Sequence, residues 1–317
     1  MATKGFEDSN IIGLFQSRYE DRFEGSWARR VSLFNPASDR ATEEYGIFGG
    51  FPKMREWVGA RQANTVARLS HQVRNLPYES TLVIPDRDLS REKTGLLEAY
   101  IGNFANSVVA NQWEDLLIDL VNANGTCYDG HNFFDTDHVW EDSGVQKNSV
   151  SASEVPALDV ATPTAPTPTE AASAILGLTG HLLTFKDNKG RYLNGGARQF
   201  LVQVSTVPLF SACLQAISAN LLTGMVDNPL TGMKLGGFTY EVQMVPSLTN
   251  ATTKIRLYRL DGELKPFLLQ EEQGIEYDIL GRGSDFHFEN KAVKLGVNAS
   301  RGAGYGLWEH AIEGTLS

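Results

Sequence analysis

The sequence predicts an α+β fold in which an N-terminal arm and a long hairpin precede one long helix and a mixed remainder. Three observations predict it. An apolar stripe at helical spacing runs over many turns, from about Arg91 to Asn124. An earlier stretch alternates with the period of two that is typical of strands. The remaining helices and strands lack regular βαβ repetition, which favours α+β over a doubly wound sheet.

The composition is that of a folded soluble protein with a real core. The chain has 317 residues, of which 42% are hydrophobic and 21% charged, enough for one large domain or two ordinary ones. Its two cysteines suit a reducing cytoplasm and form neither a disulfide framework nor a zinc motif. No apolar run approaches a membrane span, and no signal-peptide core follows the polar N-terminus, so we expect no membrane partner.

Charge is distributed unevenly along the chain. The net charge of −10 argues against a dedicated nucleic-acid binder, which would carry a basic surface. Segment 45–74 nevertheless holds 5 basic residues and 1 acidic residue, whereas segment 75–124 holds 3 basic and 8 acidic. Such blocks are commonly solvated faces, but they can also determine which surfaces of neighbouring copies meet.

The first half of the chain contains the long elements. Residues 1–44 are interpreted as an arm with one short helix near Ile11–Phe23. Tyr45–Asp88 is interpreted as a two-stranded excursion that needs support, since an isolated hairpin is marginal in water. Ser90 is the expected N-cap of the long helix, and Gly125 occupies the position expected for its C-terminal glycine.

The second half alternates shorter elements. Val155–Pro168 is too poor in large apolar residues to pack and is interpreted as a surface connection. Thr167 to Glu170 form a capping box that should start a helix running to about Phe185. The glycines of Gly302–Gly306 are interpreted as permitting a tight bend or a bulge. A further helix is predicted over Pro208–Leu222, with strands over Gln199–Ser205, Phe238–Val245, Ile255–Leu260, Pro266–Glu271 and Phe286–Val297.

Four ordered blocks resemble the major head subunits of Mu-like bacteriophages. They are Tyr45–Gly59, Cys127–Asp135, Lys265–Glu271 and Arg301–Trp308. The resemblance implies the fold named after the HK97 phage capsid. Its expected divisions are an N-terminal arm (1–44), an extended E-loop hairpin (45–88), a P-domain with the spine helix 91–124 (89–150), mainly an A-domain (151–260), and strands returning to the P-domain (261–317).

The resemblance also implies a structural, non-catalytic function without a cofactor. The expected role is a major capsid protein that self-assembles through hexamers and pentamers into the icosahedral head of a tailed phage. The expected partners are other copies of the chain, a portal, scaffold, protease and decoration proteins, and packaged double-stranded DNA held non-specifically. Assembly in the bacterial host cytoplasm and localisation in the virion follow from the same resemblance.

The interface hypothesis joins the basic aromatic hairpin of one copy to the acidic spine helix of another. Aromatic burial would supply most of the affinity, while the ion pairs, individually weak, would determine register. On the hairpin the candidates are Phe48, Phe51, Lys53, Arg55, Trp57, Arg61, Arg68, Leu69 and Arg74. On the spine helix they are Glu114, Asp115 and Asp119. The alternative for the aromatic residues is burial within their own subunit.

Two other functions stay open at this level. Asp129, His131, Asp135, Asp137 and His138 are residue types that can bind a divalent metal, as in a metal-dependent enzyme. A solvated loop pinned by neighbouring phenylalanines explains the same segment equally well. The other alternative is a cellular nanocompartment shell of the same fold, which would enclose cargo enzyme rather than DNA.

Overall fold

Two large sheets and two separate two-stranded sheets organise the described part of the molecule. The computed structural model describes residues 8–36, 38–50, 56–57, 68–91, 95–222, 226–281 and 283–317. The helices are α1 (Asp8–Glu24), α2 (Trp27–Val31), α3 (Asp86–Arg91), α4 (Leu96–Asn103), α5 (Gln112–Ala123), α6 (Pro168–Leu183), α7 (Val207–Ser218), α8 (Pro229–Leu235) and α9 (Asp285–Asn290). The strands are β1 (Ser32–Asn35), β2 (Thr42–Phe48), β3 (Arg68–Arg74), β4 (Leu76–Pro85), β5 (Ser149–Val150), β6 (Gln199–Val204), β7 (Leu221–Leu222), β8 (Val226–Asp227), β9 (Thr239–Met244), β10 (Lys254–Arg259), β11 (Phe267–Leu280), β12 (Ala292–Tyr305) and β13 (Ala311–Thr315).

The first sheet has the strand order β1-β11-β12-β4. Its long antiparallel strands β11 and β12 are flanked by β4 on one side and by β1, parallel to β11, on the other. Apolar side chains of β4 and β12, such as Ile84 and Leu295, pack with Phe15 of α1 and Ile101 of α4 in a shared core. The predicted two-stranded excursion is therefore too long, because Tyr78–Ile84 belongs to this sheet and only β2 and β3 form the hairpin.

The spine is a helix in three pieces. It starts at Leu96 rather than Arg91, and Ser90 lies inside the separate helix α3 instead of capping it. Gly95 precedes it at φ +74°, a left-handed backbone that ends helical continuity. Between α4 and α5 a seven-residue π-helix, Phe104–Ala110, interrupts the regular hydrogen-bond ladder. At the other end, Asn124 at φ 44° takes the left-handed position predicted for Gly125.

The second sheet has the order β5-β13-β10-β6-β9 and is covered by α6 and α7. The predicted capping box is confirmed, since the Thr167 side chain accepts from the Glu170 N–H while the Glu170 carboxylate accepts from the Thr167 N–H. Helix α7 is shorter than predicted. The Asn228 amide donates to the carbonyls of Ala216 and Ala219 at 2.6 Å each, which satisfies the end of the helix.

Three other predictions are corrected by the packing. In the connection after β5, Val155, Leu158 and Val160 are buried in the main core, so it is not merely a surface segment. The strand predicted over Phe286–Val297 begins only at Ala292. The residues before it form helix α9, which the Ser284 hydroxyl caps by accepting from the His287 N–H. The strand predicted to end at Glu271 continues through the bulges of β11 to Leu280.

The glycines near the end of β12 allow close approach rather than a bend. A Cβ on Gly302 would lie 2.5 Å from the carbonyl oxygen of Arg74, and one on Gly304 would lie 2.3 Å from a Val73 methyl. Both glycines sit inside the strand, paired with β11. The root of the β2–β3 hairpin therefore packs directly on the first sheet.

Candidate subunit interface

The β2–β3 hairpin carries exposed aromatic residues. Phe48 is 56% exposed and Trp57 is 70% exposed. The Arg68 guanidinium lies 6.0 Å from the centre of the Phe48 ring, so an aromatic face and a cation occur together. Arg74 is also exposed. The other hairpin candidates, Phe51, Lys53, Arg55 and Arg61, lie outside the described residues.

The root of the hairpin is anchored in its own subunit. The Tyr45 hydroxyl donates to the Gln270 side chain at 2.8 Å and accepts from the Asn35 amide at 3.1 Å. Leu69 packs partly buried against the main core together with Ile47. Leu69 therefore has packing partners inside its own subunit, and its contact with a neighbouring copy stays a prediction.

Farther along the hairpin, two glycines lie against a turn from the second half of the chain. We call Asp187–Arg191 the cradle. The Gly50 N–H donates to Asn188 Oδ1 at 2.6 Å, Gly49 is buried, and the Asn188 side chain is only 1% exposed. The hairpin thereby touches the unit built on the second sheet.

The acidic spine candidates divide into two kinds. Glu114 accepts from Arg22 at 3.1 Å and from the Ser26 hydroxyl at 2.8 Å, so it is already committed within its subunit. Asp115 and Asp119 are exposed. Partial burial, followed by the neighbouring charges of Asp119 and Glu114, raises the pKa of Asp115. A cation from another copy would relieve this repulsion at Asp115 and Asp119.

An apolar groove opens between strand β4 and the first half of the spine. Its volume is about 610 Å³, within the range of sites that enclose apolar groups. Three of its wall residues are spine positions of the predicted stripe that face outward: Leu96 is 59% exposed, Tyr100 69% and Val108 46%. On the β4 side Val83 is 48% exposed, and Asp88 contributes a carboxylate. We refer to this surface as the spine groove.

Beneath the spine, Arg301 joins several elements through hydrogen bonds. Its side chain is completely buried and donates to Glu271 Oε1 at 3.1 Å, to the Tyr19 hydroxyl at 2.8 Å and to the Val109 carbonyl oxygen at 3.1 Å. The guanidinium also lies 4.5 Å from the centre of the Trp113 ring. Arg301 therefore connects β12, β11, α1, the π-helix and α5.

The segment that carries the metal candidates is a structural loop. His138 is fully buried, with Nδ1 2.6 Å from Asp129 Oδ2, Nε2 3.1 Å from Asn148 Oδ1, and its ring stacked 3.9 Å from Trp308. His131 and Asp135 lie 3.9 Å apart at the surface.

Asp137, the remaining metal candidate, is exposed and accepts from the neighbouring Thr136 hydroxyl. Within the part of the chain that the structure describes, no three His, Cys, Asp or Glu side chains are arranged to hold one metal ion. In the same residues, no helix is long and apolar enough to cross a membrane.

Sequence reasoning missed the spine groove and the cradle. The apolar stripe from Leu96 to Val121 predicts one buried helix face. The stripe is wider than one buried face requires, because Tyr100 and Val108 lie at its edge, and this extra width could have indicated an exposed apolar surface. The glycine pair Gly49–Gly50 is a signal that could have indicated a close approach of the backbone, but it was not used. Nothing in the sequence identified Asn188 as its partner, which lies about 140 residues away.

Comparison with known proteins agrees with the resemblance noted in the sequence. Residues 12–161 match the sequence model of the family described as Mu-like prophage major head subunit gpT. The major capsid protein of Escherichia phage Mu is 30% identical over 126 residues, which are 39% of this chain and 40% of that protein. The chain thus matches less than half the length of that relative.

The fold is found in solved phage capsids. The procapsid protein of bacteriophage JBD30 aligns over 98% of this chain and 75% of its own, with a TM-score of 0.51 and 18% identity. The capsid protein of cyanophage P-SCSP1u aligns over 90% and 86%, with a TM-score of 0.53 and 11% identity. The chain is therefore related to the Mu-like major head subunits through residues 12–161, and its fold is the HK97-type fold of phage capsid proteins.

Proposed function

We propose that the protein is a major capsid protein that self-assembles into the head shell of a tailed bacteriophage. The observation that carries this proposal is that one subunit presents both an exposed aromatic hairpin and an exposed apolar groove. Two different surfaces that meet between identical copies make a head-to-tail contact, which closes into rings when the rotation between copies permits. Both surfaces belong to a fold that phage capsid proteins share.

The hairpin of one copy occupies the spine groove of a neighbouring copy. It does not occupy its own groove, because its root joins β4 at Leu76, the groove begins about 20 Å farther along the strand at Leu82, and Phe48 is exposed outside it. From its root the hairpin leads toward Asn188 instead. The Phe48 ring with its neighbouring Arg68 complements a groove whose apolar walls include the Asp88 carboxylate.

The electrostatic part of this contact extends along the spine. Arg68 and Arg74 on the hairpin face Asp115 and Asp119 of the neighbour, while Glu114 stays in its own subunit. Reversing the charge of Arg55 and Arg61, which belong to the same basic segment, should impair capsomer or shell formation while the subunit still folds. Normal shells from that double variant, seen by negative-stain microscopy beside a folded circular-dichroism spectrum, would contradict the electrostatic part.

The remaining assignments follow from the same proposal. Residues 1–44 serve as the arm, 45–88 as the E-loop, 89–150 as the P-domain, 151–260 mainly as the A-domain, and 261–317 as returning strands, although β4 joins the P-domain sheet. The protein acts structurally rather than as an enzyme, in hexamers and pentamers of the virion shell assembled in the host cytoplasm. Portal, scaffold, protease and decoration proteins are its further partners, and packaged double-stranded DNA is held non-specifically.

Disulfide trapping tests the hairpin–groove contact. Copies carrying Phe48→Cys are mixed with copies carrying Tyr100→Cys, assembled and oxidised. We expect covalent dimers on a non-reducing gel, because the two positions meet across the interface. The native thiols Cys127 and Cys213 are buried and do not interfere.

The matched control pairs Phe48→Cys with Val145→Cys, an apolar position that is 65% exposed outside the groove. Particles that form without a Phe48–Tyr100 cross-link, or with equal cross-linking of the control pair, would exclude this docking site. A wild-type protein that stays monomeric at high concentration would count against the shell function itself.

A further inference from the structure

We propose that Asn188 and the cradle hold the hairpin at a set angle and thereby determine the curvature at which copies of the chain meet. This inference rests on the proposed shell function and adds to it a determinant within the single subunit. It assigns a positioning role to residues that lie outside the hairpin, the spine groove and the four sequence blocks.

The cradle is held by hydrogen bonds that do not involve the hairpin. Asp187 Oδ1 accepts from the backbone N–H groups of Lys189 at 2.9 Å and Arg191 at 3.0 Å, and Asp187 Oδ2 accepts from the Arg191 guanidinium at 2.6 and 2.9 Å. The side-chain amide of Asn188 donates to Glu141 Oε2 at 2.7 Å, and the backbone carbonyl of Asn188 accepts from the Asp142 N–H at 3.1 Å. Asn188 Oδ1 is thereby aimed at one donor, the Gly50 N–H.

The hairpin side of this contact accepts glycine only. A Cβ on Gly50 would lie 2.1 Å from Asp187 Oδ2 and 2.4 Å from Arg191 Nη2, both of which are held in the cradle. A Cβ on Gly49 would lie 2.7 Å from the Asn188 side chain. On the same hairpin, a Cβ on Gly46 would meet the Arg68 side chain at 2.7 Å, and that exposed side chain can move aside.

The direction of the hairpin is fixed because it is attached to its subunit both at its root and at the cradle. The root bonds of Tyr45 attach the hairpin to the first sheet, and the cradle attaches it to the unit of the second sheet. From Tyr45 to Gly50 the hairpin extends over five residues, a lever of about 17 Å. A rotation of roughly 10° about Tyr45 would move its end by about 3 Å, which changes the angle at which a neighbouring copy docks and so the closure of the shell.

The test uses Gly50→Ala, Asn188→Ala and the double variant, with Gly46→Ala as the matched control. The first readout is tryptic cleavage of the unassembled subunit, since Lys53, Arg55 and Arg61 lie just beyond the cradle contact in the sequence. We expect cleavage there to accelerate about tenfold in both single variants, with no further gain in the double variant because one contact is lost in each case. Gly46→Ala should be cleaved like the wild type.

The second readout is the diameter of assembled particles by electron microscopy. We expect broad size distributions, tubes or open sheets from Gly50→Ala and Asn188→Ala, with thermal unfolding midpoints close to that of the wild type. Uniform particles of wild-type diameter from both variants would overturn the role in curvature. Unchanged cleavage in both variants would overturn the cradle contact. If the wild type forms no particles, that result contradicts the shell function, and the cleavage readout still tests the cradle contact.

Discussion

Replacing Arg301 by methionine is expected to lower the free energy of unfolding of the subunit by about 3–5 kcal/mol. The side chain is fully buried, and its four hydrogen-bonded partners come from three parts of the chain: Glu271 on β11, Tyr19 on α1, and Gln112 with the carbonyl of Val109 on the spine. Methionine preserves much of the volume over Trp113 but removes every donor. The cost is dominated by the partners left unsatisfied in the interior.

The largest single part of that cost falls on Glu271. Burial raises the pKa of Glu271, and the adjacent Arg301 guanidinium opposes this rise. Without the cation the carboxylate is buried and unpaired, so Arg301→Met should destabilise more at pH 8 than at pH 5, where Glu271 can take up a proton. The double variant Arg301→Met with Glu271→Gln should therefore recover part of the loss.

Urea unfolding followed by tryptophan fluorescence measures these differences. Arg18→Met, an exposed arginine on α1, is the matched control and should change stability by no more than about 0.5 kcal/mol. A loss below about 1 kcal/mol for Arg301→Met would mean that the network contributes little beyond packing.

Replacing Glu309 by glutamine is expected to abolish a strong dependence of stability on pH. Glu309 is 2% exposed, and burial raises its pKa from 4.5 to about 7, although the Tyr128 hydroxyl, which donates to it at 2.5 Å, partly offsets the rise. Other titratable groups beside it are His138 and Asp129. Glu309 lies between β12 and β13, and its backbone carbonyl accepts from the side-chain amide of Asn194, which precedes β6.

The sign follows from the raised pKa. Below pH 4.5 the Glu309 carboxyl is protonated in both the folded and the unfolded state, so no stability is lost through its ionisation. Between pH 4.5 and about 7 only the unfolded chain releases the proton, so stability falls by about 1.4 kcal/mol per pH unit, or about 3 kcal/mol in all. Above pH 7 the loss is complete. Glutamine keeps the acceptor for Tyr128 and has no charge to bury.

The measurement is the unfolding free energy of wild type and Glu309→Gln at several pH values between 4 and 8. The variant should gain about 3 kcal/mol relative to the wild type across this window. Glu263→Gln, at an exposed position, serves as the control and should show no such gain. Parallel stability profiles for wild type and Glu309→Gln would refute the assignment.

Much of the architecture could be predicted because local signals and tertiary packing agree. The Thr167 capping box and the buried strand β6 appear where the sequence predicts them, since cap chemistry and hydrophobic pattern point to the same element. The long helix was also predictable, but its π-helical interruption was not. In the structure the interruption is contacted by Arg301, whose guanidinium donates to the Val109 carbonyl from 192 positions away, and periodicity carries no information on such a contact.

The candidate interface was less predictable than the fold. An apolar stripe does not reveal which of its residues face the core, so Tyr100 and Leu97 look equivalent in sequence although only Leu97 is buried. Likewise, Glu114 and Asp115 are adjacent acids, yet only Glu114 has internal partners in Arg22 and Ser26. Such distinctions arise from the position of α1 and α2 against the spine, which periodicity cannot supply.

The strand order of the first sheet has a consequence for synthesis of the chain. Strand β4 ends at Pro85, but its neighbour β12 and the next strand β11 begin only at Ala292 and Phe267. At ~5–20 residues per second, the ribosome needs about 10 to 40 s to make the intervening segment. Until then the hairpin lacks the surface at Gly302 and Gly304 on which its root packs. A nascent chain therefore cannot seat the root of the hairpin on the first sheet before Gly302 and Gly304 have been made.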